Sequence, residues 1–397
     1  MQPANANGPK TNGPKTNGRG EARAEGRDGG EVRYGVVGLG WFAQAAILPA
    51  FRNARRNSRL AALFSGDAEK RRAVGQEHGV RACYSYDQLE AAVRDEGIDA
   101  LYLAVPNHLH RDFTLRAAAC GAHVLCEKPM AVTEEDCSAM IEACDRAGVK
   151  LMVAYRLHFE QANLCAIERV ESGRIGEPTL FEAVFSNQVH DPDNIRFDPI
   201  GRGGGSLYDI GIYCINAARS IFRCEPEEVF AMSKLGDSEG SGRGYDETTS
   251  AMLRFPGGRM ATFSSSFGLA DHDRYTVHGT EGSLRVQPAF HFRGTLRHRL
   301  AVGNRCCALE FPERDQIAPE LLHFSDCILE GREPEPSGRE GLADVRILRA
   351  LHRSAAEGRI VSLAPFEVDQ RPDLSQEESR PLYEEPELVG ASPPSVS

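Results

Sequence analysis

A short apolar run, Val32 to Val37, passes without a break into Gly38-Leu39-Gly40-Trp41-Phe42-Ala43, and Ala45, Ile47, Leu48 and Phe51 then follow at helical spacing. A strand, a glycine turn and a helix in immediate succession is the setting in which a Gly-x-Gly-x-x-Gly/Ala sequence cradles a dinucleotide. Gly38 allows the tight turn, Gly40 lets the backbone approach a pyrophosphate, and Ala43 lets the helix pack closely, its amino end favouring the anion. Leu39, Trp41 and Phe42 occupy the positions between. This unit requires a parallel, doubly wound sheet for the first part of the chain.

Later segments agree. Leu60 to Phe64 reads as the second strand, and a fold specific for NAD places an acid just after it to hold the ribose 2'-hydroxyl. Here the chain continues Ser65-Gly66-Asp67-Ala68-Glu69-Lys70-Arg71. Ser65 and Gly66 leave room, and Lys70 and Arg71 bring positive charge suited to a 2'-phosphate. NADP is therefore the expected cofactor, with NAD left possible by Asp67. Ala100 to Val105 runs into Pro106-Asn107, and His123 to Cys126 runs into Glu127-Lys128-Pro129. Near-continuous apolar strands alternating with amphipathic helices mark a parallel sheet, and ligands bind at the carboxyl ends of its strands. Pro106, Asn107, Glu127 and Lys128 stand at those ends, with His110 on the helix that follows.

After residue 155 the pattern changes to alternation of period two, as in Thr179 to Phe185, Thr249 to Phe255 and Met260 to Ser266. Such strands have one face covered, and Pro256-Gly257-Gly258 marks a hairpin between two of them. A further pair, Tyr275 to His278 and Ser283 to Val286, extends an antiparallel or mixed sheet. Within this half lies Gly203-Gly204-Gly205-Ser206-Leu207-Tyr208-Asp209-Ile210-Gly211-Ile212-Tyr213. A helix starting after the glycines places Asp209 and Tyr213 on one face, since positions i and i+4 are neighbours. His158, His190 and Arg196 flank the same region and can hydrogen-bond a hydroxylated substrate.

At 397 residues two domains are expected. A net charge of -11 argues against non-specific nucleic-acid binding. No apolar run reaches the roughly 18 residues that span a bilayer. Eleven cysteines, an odd number with no Cys-x-x-Cys pair, support neither a disulfide framework nor a zinc site. A reducing compartment, the cytoplasm, is the expected location, and no metal is expected. The tandem repeat Asn7 to Thr11 and Asn12 to Thr16 lies in an arm too polar to bury a core.

These motifs, in this order, resemble the glucose-fructose oxidoreductase, inositol dehydrogenase and rhizopine-catabolism (Gfo/Idh/MocA) family of NAD(P)-dependent oxidoreductases. The resemblance covers nearly all of residues 33 to 365 and rests on Gly38 to Ala43, Pro106-Asn107 with His110, Glu127-Lys128-Pro129, Tyr155-Arg156, and Gly203 to Tyr213. It is nearest to the family's glucose-fructose oxidoreductase branch, although Ile195 stands where that branch has tryptophan. The resemblance implies hydride transfer between the nicotinamide and a sugar or polyol. It implies that Lys128 sits beside the nicotinamide and the reacting carbon, that Asp209 contacts substrate, and that Tyr213 is the acid/base group. A tyrosine, with an ordinary pKa of about 10, needs a neighbouring cation for that task, and Lys128 is the candidate. Gly38 to Phe42, Ser65, Gly66, Lys70, Arg71, Pro106, Asn107, His110, Glu127, Lys128 and Arg156 are the implied cofactor contacts. Lys128, Arg156, His158, Arg196, Asp209 and Tyr213 are the expected substrate contacts.

The expected organisation is a disordered arm over 1–31, a Rossmann domain over 32–155 and an α+β substrate domain over 156–365. That second domain carries a large open mixed sheet pairing subunits into dimers or tetramers, and a late helix near 341–357 packs at the cleft. A disordered tail over 366–397 ends the chain. Two alternatives stand beside the oxidoreductase: a dinucleotide-binding sensor without catalysis, and a reductase of a non-sugar alcohol such as a dihydrodiol.

Overall fold

The computed structural model describes residues 30–237, 244–368 and 370–393. The arm that carries the tandem repeat lies outside them. Six strands form the first sheet: β1 (Val32–Val37), β2 (Ser58–Phe64), β3 (Cys83–Tyr84), β4 (Ala100–Leu103), β5 (His123–Glu127) and β6 (Leu151–Ala154). Their order is β3-β2-β1-β4-β5-β6, and every pairing is parallel. The order reverses between β1 and β4, which opens a crevice beyond the carboxyl ends of those two strands. β4 and β6 are buried at every position, as strands covered on both faces must be. The connections carry α1 (Leu48–Ala50), α2 (Ala68–Glu77), α3 (Leu89–Asp95), α4 (His110–Ala119) and α5 (Glu134–Ala147).

After α6 (Gln161–Glu171) comes the second sheet, nine strands in the order β14-β13-β12-β11-β7-β10-β9-β8-β15. These are β7 (Pro178–Ser186), β8 (Glu228–Asp237), β9 (Gly244–Arg254), β10 (Met260–Ser266), β11 (His272–Gly279), β12 (Gly282–Val286), β13 (Leu296–Val302), β14 (Arg305–Phe311) and β15 (Val361–Ser362). β7 and β10 pair in parallel and the other neighbours antiparallel, so the sheet is mixed. The alternating runs fall on β7, β9 and β10, and Pro256-Gly257-Gly258 turns β9 into β10, as the spacing indicates. α7 (Ile212–Phe222) and α9 (Gly338–Glu357) lie together, and α9 also packs on α5 and β8.

Two findings depart from the sequence reading. The helix α8 (Ala318–Glu330) follows the second sheet in the chain but packs on the first, against β1 and β2. Leu321, Leu322 and Phe324 are fully buried there, and Ser325 shares hydrogen bonds of 2.8 Å with both Tyr34 and Ser58. The tail is the second departure. Its composition predicts no structure, yet its described part is anchored across the first domain by a few residues. The Tyr383 hydroxyl donates to the Ala45 carbonyl at 3.2 Å, and the Val389 amide donates to the Gln44 side chain at 2.7 Å. Tyr383 and Val389 are packed against the core, so two apolar anchors outweigh a polar average.

Candidate active site

The turn after β1 fits a dinucleotide on its own geometry. Gly38 has φ of 99°, and a Cβ there would lie 2.3 Å from the Ala104 carbonyl oxygen, so β1 and β4 approach as closely as they do only through glycine. A Cβ on Gly40 would meet nothing within 4 Å, which leaves open space at the position where a pyrophosphate must approach. Residues Ala43–Ile47 then form a π-helical turn, a feature frequent at functional sites. Leu39 is buried, while Trp41 and Phe42 meet the Phe292 ring edge-on at 6.3 and 6.0 Å.

At the end of β2, Ser65 is buried and its hydroxyl accepts from the Asp67 amide. The Tyr86 ring lies 3.6 Å from where a Gly66 Cβ would be. Asp67 caps α2 by accepting from the Lys70 amide at 2.9 Å, and that bond holds its carboxyl below the usual range. Ser65 stands at the position diagnostic for NAD, and Asp67, two residues on, commits one carboxylate oxygen to the helix start. The Arg71 guanidinium bonds the Ser65 carbonyl, which keeps its charge at this pocket.

Past β4, the Asn107 side chain donates to the Gly203 carbonyl at 2.7 Å and so ties the first domain to the glycine-rich turn of the second. Gly203 has φ of 82°, and a Cβ there would sit 2.8 Å from the Asn107 Cβ. His110 departs from its expected place among the ligand contacts. It is wholly buried, with Nδ1 at 3.0 Å from the Pro129 carbonyl and Nε2 at 2.9 Å from that of Val105. It therefore clamps the two strand-end loops that carry Pro106-Asn107 and Lys128, and has no nitrogen left for a ligand. Burial drives its pKa down to about 4, as it does for His123, His298 and His323. Because the unfolded chain takes up these protons first, near pH 6.5, stability is lost as pH falls from about 6.5 to about 4. His110→Gln should remove its share of that loss, so the variant's melting temperature should gain on the parent's as pH falls across the window; a difference that stays constant with pH would contradict the assignment.

Glu127 accepts from the Tyr102 hydroxyl at 2.8 Å, and burial raises its pKa to about 7 against the pull of Tyr102 and Lys128. Next to it, the Lys128 ammonium donates to the Asp209 backbone carbonyl at 2.6 Å and to Oδ1 at 3.3 Å. The other Asp209 oxygen takes the Arg196 Nε at 2.5 Å. Burial opposes the charged carboxylate, but Arg196 and Lys128 outweigh it and pull the Asp209 pKa down to about 2. Burial likewise opposes the Lys128 charge, while Tyr213, Asp209 and Glu127 hold its pKa above the ordinary lysine value. Lys128 Nζ lies 4.7 Å from the centre of the Tyr213 ring, and the Arg156 guanidinium carbon lies 5.0 Å from it.

Asp209 and Tyr213 meet through Lys128, on a backbone that differs from the expected plain helix. Leu207–Gly211 is a second π-helical turn, and α7 begins only at Ile212. Asp246 supports this turn by accepting from the Leu207 amide at 2.7 Å and the Ser206 hydroxyl at 3.0 Å, and His352 of α9 bonds the same carboxylate. Neither Asp246 nor His352 carries a local signal in the sequence. A cavity of about 70 Å³ opens beside Asp209, lined by Asn107, Ile195, Arg196, Asp198, Arg202 and Gly203 among others. Arg156 is buried, bonding Gln316 and the Phe290 carbonyl, so it reaches Tyr213 with its face alone. His158 departs from the expected set: it is buried between Glu335 and Asn216, at 2.9 and 2.7 Å, with both nitrogens occupied. His190 is exposed on the loop after β7.

Residues 32–155 match the description "Oxidoreductase family, NAD-binding Rossmann fold", and residues 164–285 match "GFO/IDH/MocA C-terminal domain". The chain belongs to the Gfo/Idh/MocA family of oxidoreductases. This family member is 36% identical over 338 residues to an uncharacterized oxidoreductase of Rhizobium meliloti, a match covering 82% of this chain and 98% of that one. It is 31% identical over 337 residues to a D-xylose 1-dehydrogenase [NADP(+)] of Haloarcula marismortui, covering 84% and 93%. Among solved structures, the aldose-aldose oxidoreductase of Caulobacter crescentus, complexed with glycerol, superposes with a TM-score of 0.79 at 38% identity, covering 84% of this chain and all of that one. This oxidoreductase is therefore an NAD(P)-dependent enzyme. No helix among its described residues is long and apolar enough to cross a membrane.

Proposed function

We propose that the enzyme moves hydride between NADP and a CH–OH group of a sugar or polyol, with Tyr213 as the proton-transfer group. The observation that carries this reading is the convergence of Lys128, Asp209, Arg196 and Tyr213 beside the crevice where Gly38 lets the chain close on Ala104 and Gly40 leaves room for a dinucleotide. A bound nicotinamide supplies the hydride carrier. Tyr213 exchanges the substrate hydroxyl proton, and Lys128 and Arg156 place positive charge against its ring, where they stabilise negative charge developing on its oxygen. Asp209 fixes Lys128 and Arg196, and its remaining lone pairs accept from sugar hydroxyls alongside Asn107. The names of the relatives, D-xylose dehydrogenase with NADP and aldose-aldose oxidoreductase, support a sugar. A sensor without catalysis is not favoured, because Lys128, Asp209 and Tyr213 are all present and joined.

The test is to identify the dinucleotide released from the purified protein by mass spectrometry and then to follow NADPH absorbance across a panel of aldoses and polyols. Reduction of NADP with a member of the panel supports the reading; turnover confined to non-sugar alcohols sinks it. The double variant Lys70→Ala, Arg71→Ala should raise KM for NADP by on the order of tenfold or more while leaving KM for NAD near its starting value, because charge-assisted bonds to a 2'-phosphate are lost. Equal effects on both cofactors would contradict the placement of the phosphate. Met232, Met252 and Met260 are exposed on one outward face of the second sheet, and we assign that face to pairing of subunits into a dimer or tetramer. Eleven unpaired thiols fit a reducing compartment.

A further inference from the structure

The described end of the chain touches the dinucleotide turn through a single buried amide. Gln44, 1% exposed, stands one residue after the Gly38–Ala43 fingerprint. Its Nε2 donates to the Leu39 carbonyl at 2.9 Å and to the Val389 carbonyl at 3.0 Å, while its Oε1 accepts from the Val389 amide at 2.7 Å. Both donors of the amide are used: one bond ties Gln44 to the turn at Leu39, and the other two tie it to Val389 of the tail. Six residues earlier, the Tyr383 hydroxyl donates to the Ala45 carbonyl. The Arg293 guanidinium lies between the rings of Phe292 and Tyr383, at 4.7 and 4.9 Å, and Phe292 in turn abuts Trp41 and Phe42. Further on, a Cβ at Gly390 would lie 3.3 Å from Lys70 Cε and 3.8 Å from its Nζ. The segment thus runs from the helix behind the pyrophosphate turn to the lysine expected at the 2'-phosphate, and touches both.

We propose that residues 381–390 are a strap that belongs to the dinucleotide site, holding the Gly38–Phe42 turn in its binding shape through Gln44 and slowing release of the cofactor. The physical ground is preorganisation. A turn already tied at Leu39 and Ala45 gives up little further freedom when a ligand binds, whereas a turn released from the strap must be ordered at that moment. Without the strap the buried Gln44 amide keeps its bond to Leu39 but loses both bonds to Val389, and a buried amide left partly unpaired disfavours the bound arrangement of its own helix. The inference rests on the use of a nicotinamide dinucleotide and is independent of which alcohol is oxidised.

Three proteins decide it: the full chain, a chain ending at Arg380, and the full chain carrying Val389→Pro, which deletes the amide donor to Gln44 and alters nothing in the first domain's own sequence. NADPH affinity is read by fluorescence titration, its release rate by stopped-flow displacement with excess NADP, and melting without cofactor serves as the control for folding. The shortened chain is expected to release NADPH at least ~10-fold faster, and Val389→Pro several-fold faster, at temperatures well below either melting point. Loss of a strap that only adds stability would lower the melting temperature and leave the release rate as it was. Release at the full-length rate from a folded shortened chain would overturn the proposal. If the shortened chain does not fold, an unchanged release rate in Val389→Pro overturns it equally.

Discussion

Lys128→Ala should lower kcat by on the order of 10³-fold while NADPH affinity stays within a few-fold of the parent. The lysine is mostly buried, and its ammonium is held at two points by Asp209, so its charge stands in a fixed place against the Tyr213 ring. A charge already oriented costs no reorganisation when negative charge develops on the phenol oxygen, which is why a preorganised cation acts so strongly there. Arg156 remains above the same ring and keeps the loss finite. Tyr213→Phe removes the proposed proton-transfer group and should cost about 10²- to 10⁴-fold in kcat. Under the proposed role lysine and tyrosine act as one unit, so the double variant should be about as slow as the slower single variant rather than the product of the two. Multiplying losses in steady-state kinetics would show that the two residues act independently and would contradict the joint role.

Asp209→Ala has the largest expected effect on stability. Its carboxylate is shared by Lys128 and Arg196, and all three side chains are largely withdrawn from solvent. Deleting the anion leaves two cations facing each other without compensation, a change that costs about 3–5 kcal/mol when one partner of a buried pair is removed. The melting temperature should fall by roughly 5–10 °C. The acid limb gives an independent reading. The Asp209 pKa is lowered from 3.8 to about 2, so its stabilisation is complete above pH 3.8 and is lost as pH falls towards 2. That window lies below the one set by the buried histidines, so the variant should keep the histidines' contribution between pH 6.5 and 4 and lack only Asp209's own loss beneath it. A variant as stable as the parent at neutral pH would show that the ion pairs are not held as the structure has them.

The first domain was readable because its constraints are local. A strand buried on both faces must be apolar throughout, and a turn in which Gly38 nearly touches Ala104 has room for glycine alone. Lys128 could be placed at a strand end for the same reason, and Asp209 and Tyr213 were paired by spacing, although the backbone between them is π-helical at its start. The residues read less well are those whose meaning lies in a distant partner. His158 looks like a sugar contact until Glu335, 177 positions away, takes its Nδ1. His110 looks like a ligand contact until the carbonyls of Val105 and Pro129 close on it. α8 belongs to the first sheet because Ser325 reaches Tyr34 and Ser58, which no periodicity reveals. The tail misleads because an average over many polar residues hides Tyr383 and Val389. Arg305–Phe311, exposed along almost its whole length, lacks the alternation that marks the other strands of its sheet.

On the proposed function, hydride transfer to NADP from a sugar or polyol depends on Tyr213 with Lys128 beside it. The most direct measurement is single-turnover NADPH formation by the parent, Lys128→Ala and Tyr213→Phe proteins, each saturated with NADP and mixed with the best substrate of the sugar panel. Rapid formation is expected from the parent, with rates lower by about 10²-fold or more in both variants and NADP still bound in each. Formation at the parent rate in either variant, or none by the parent with any sugar or polyol, would contradict it.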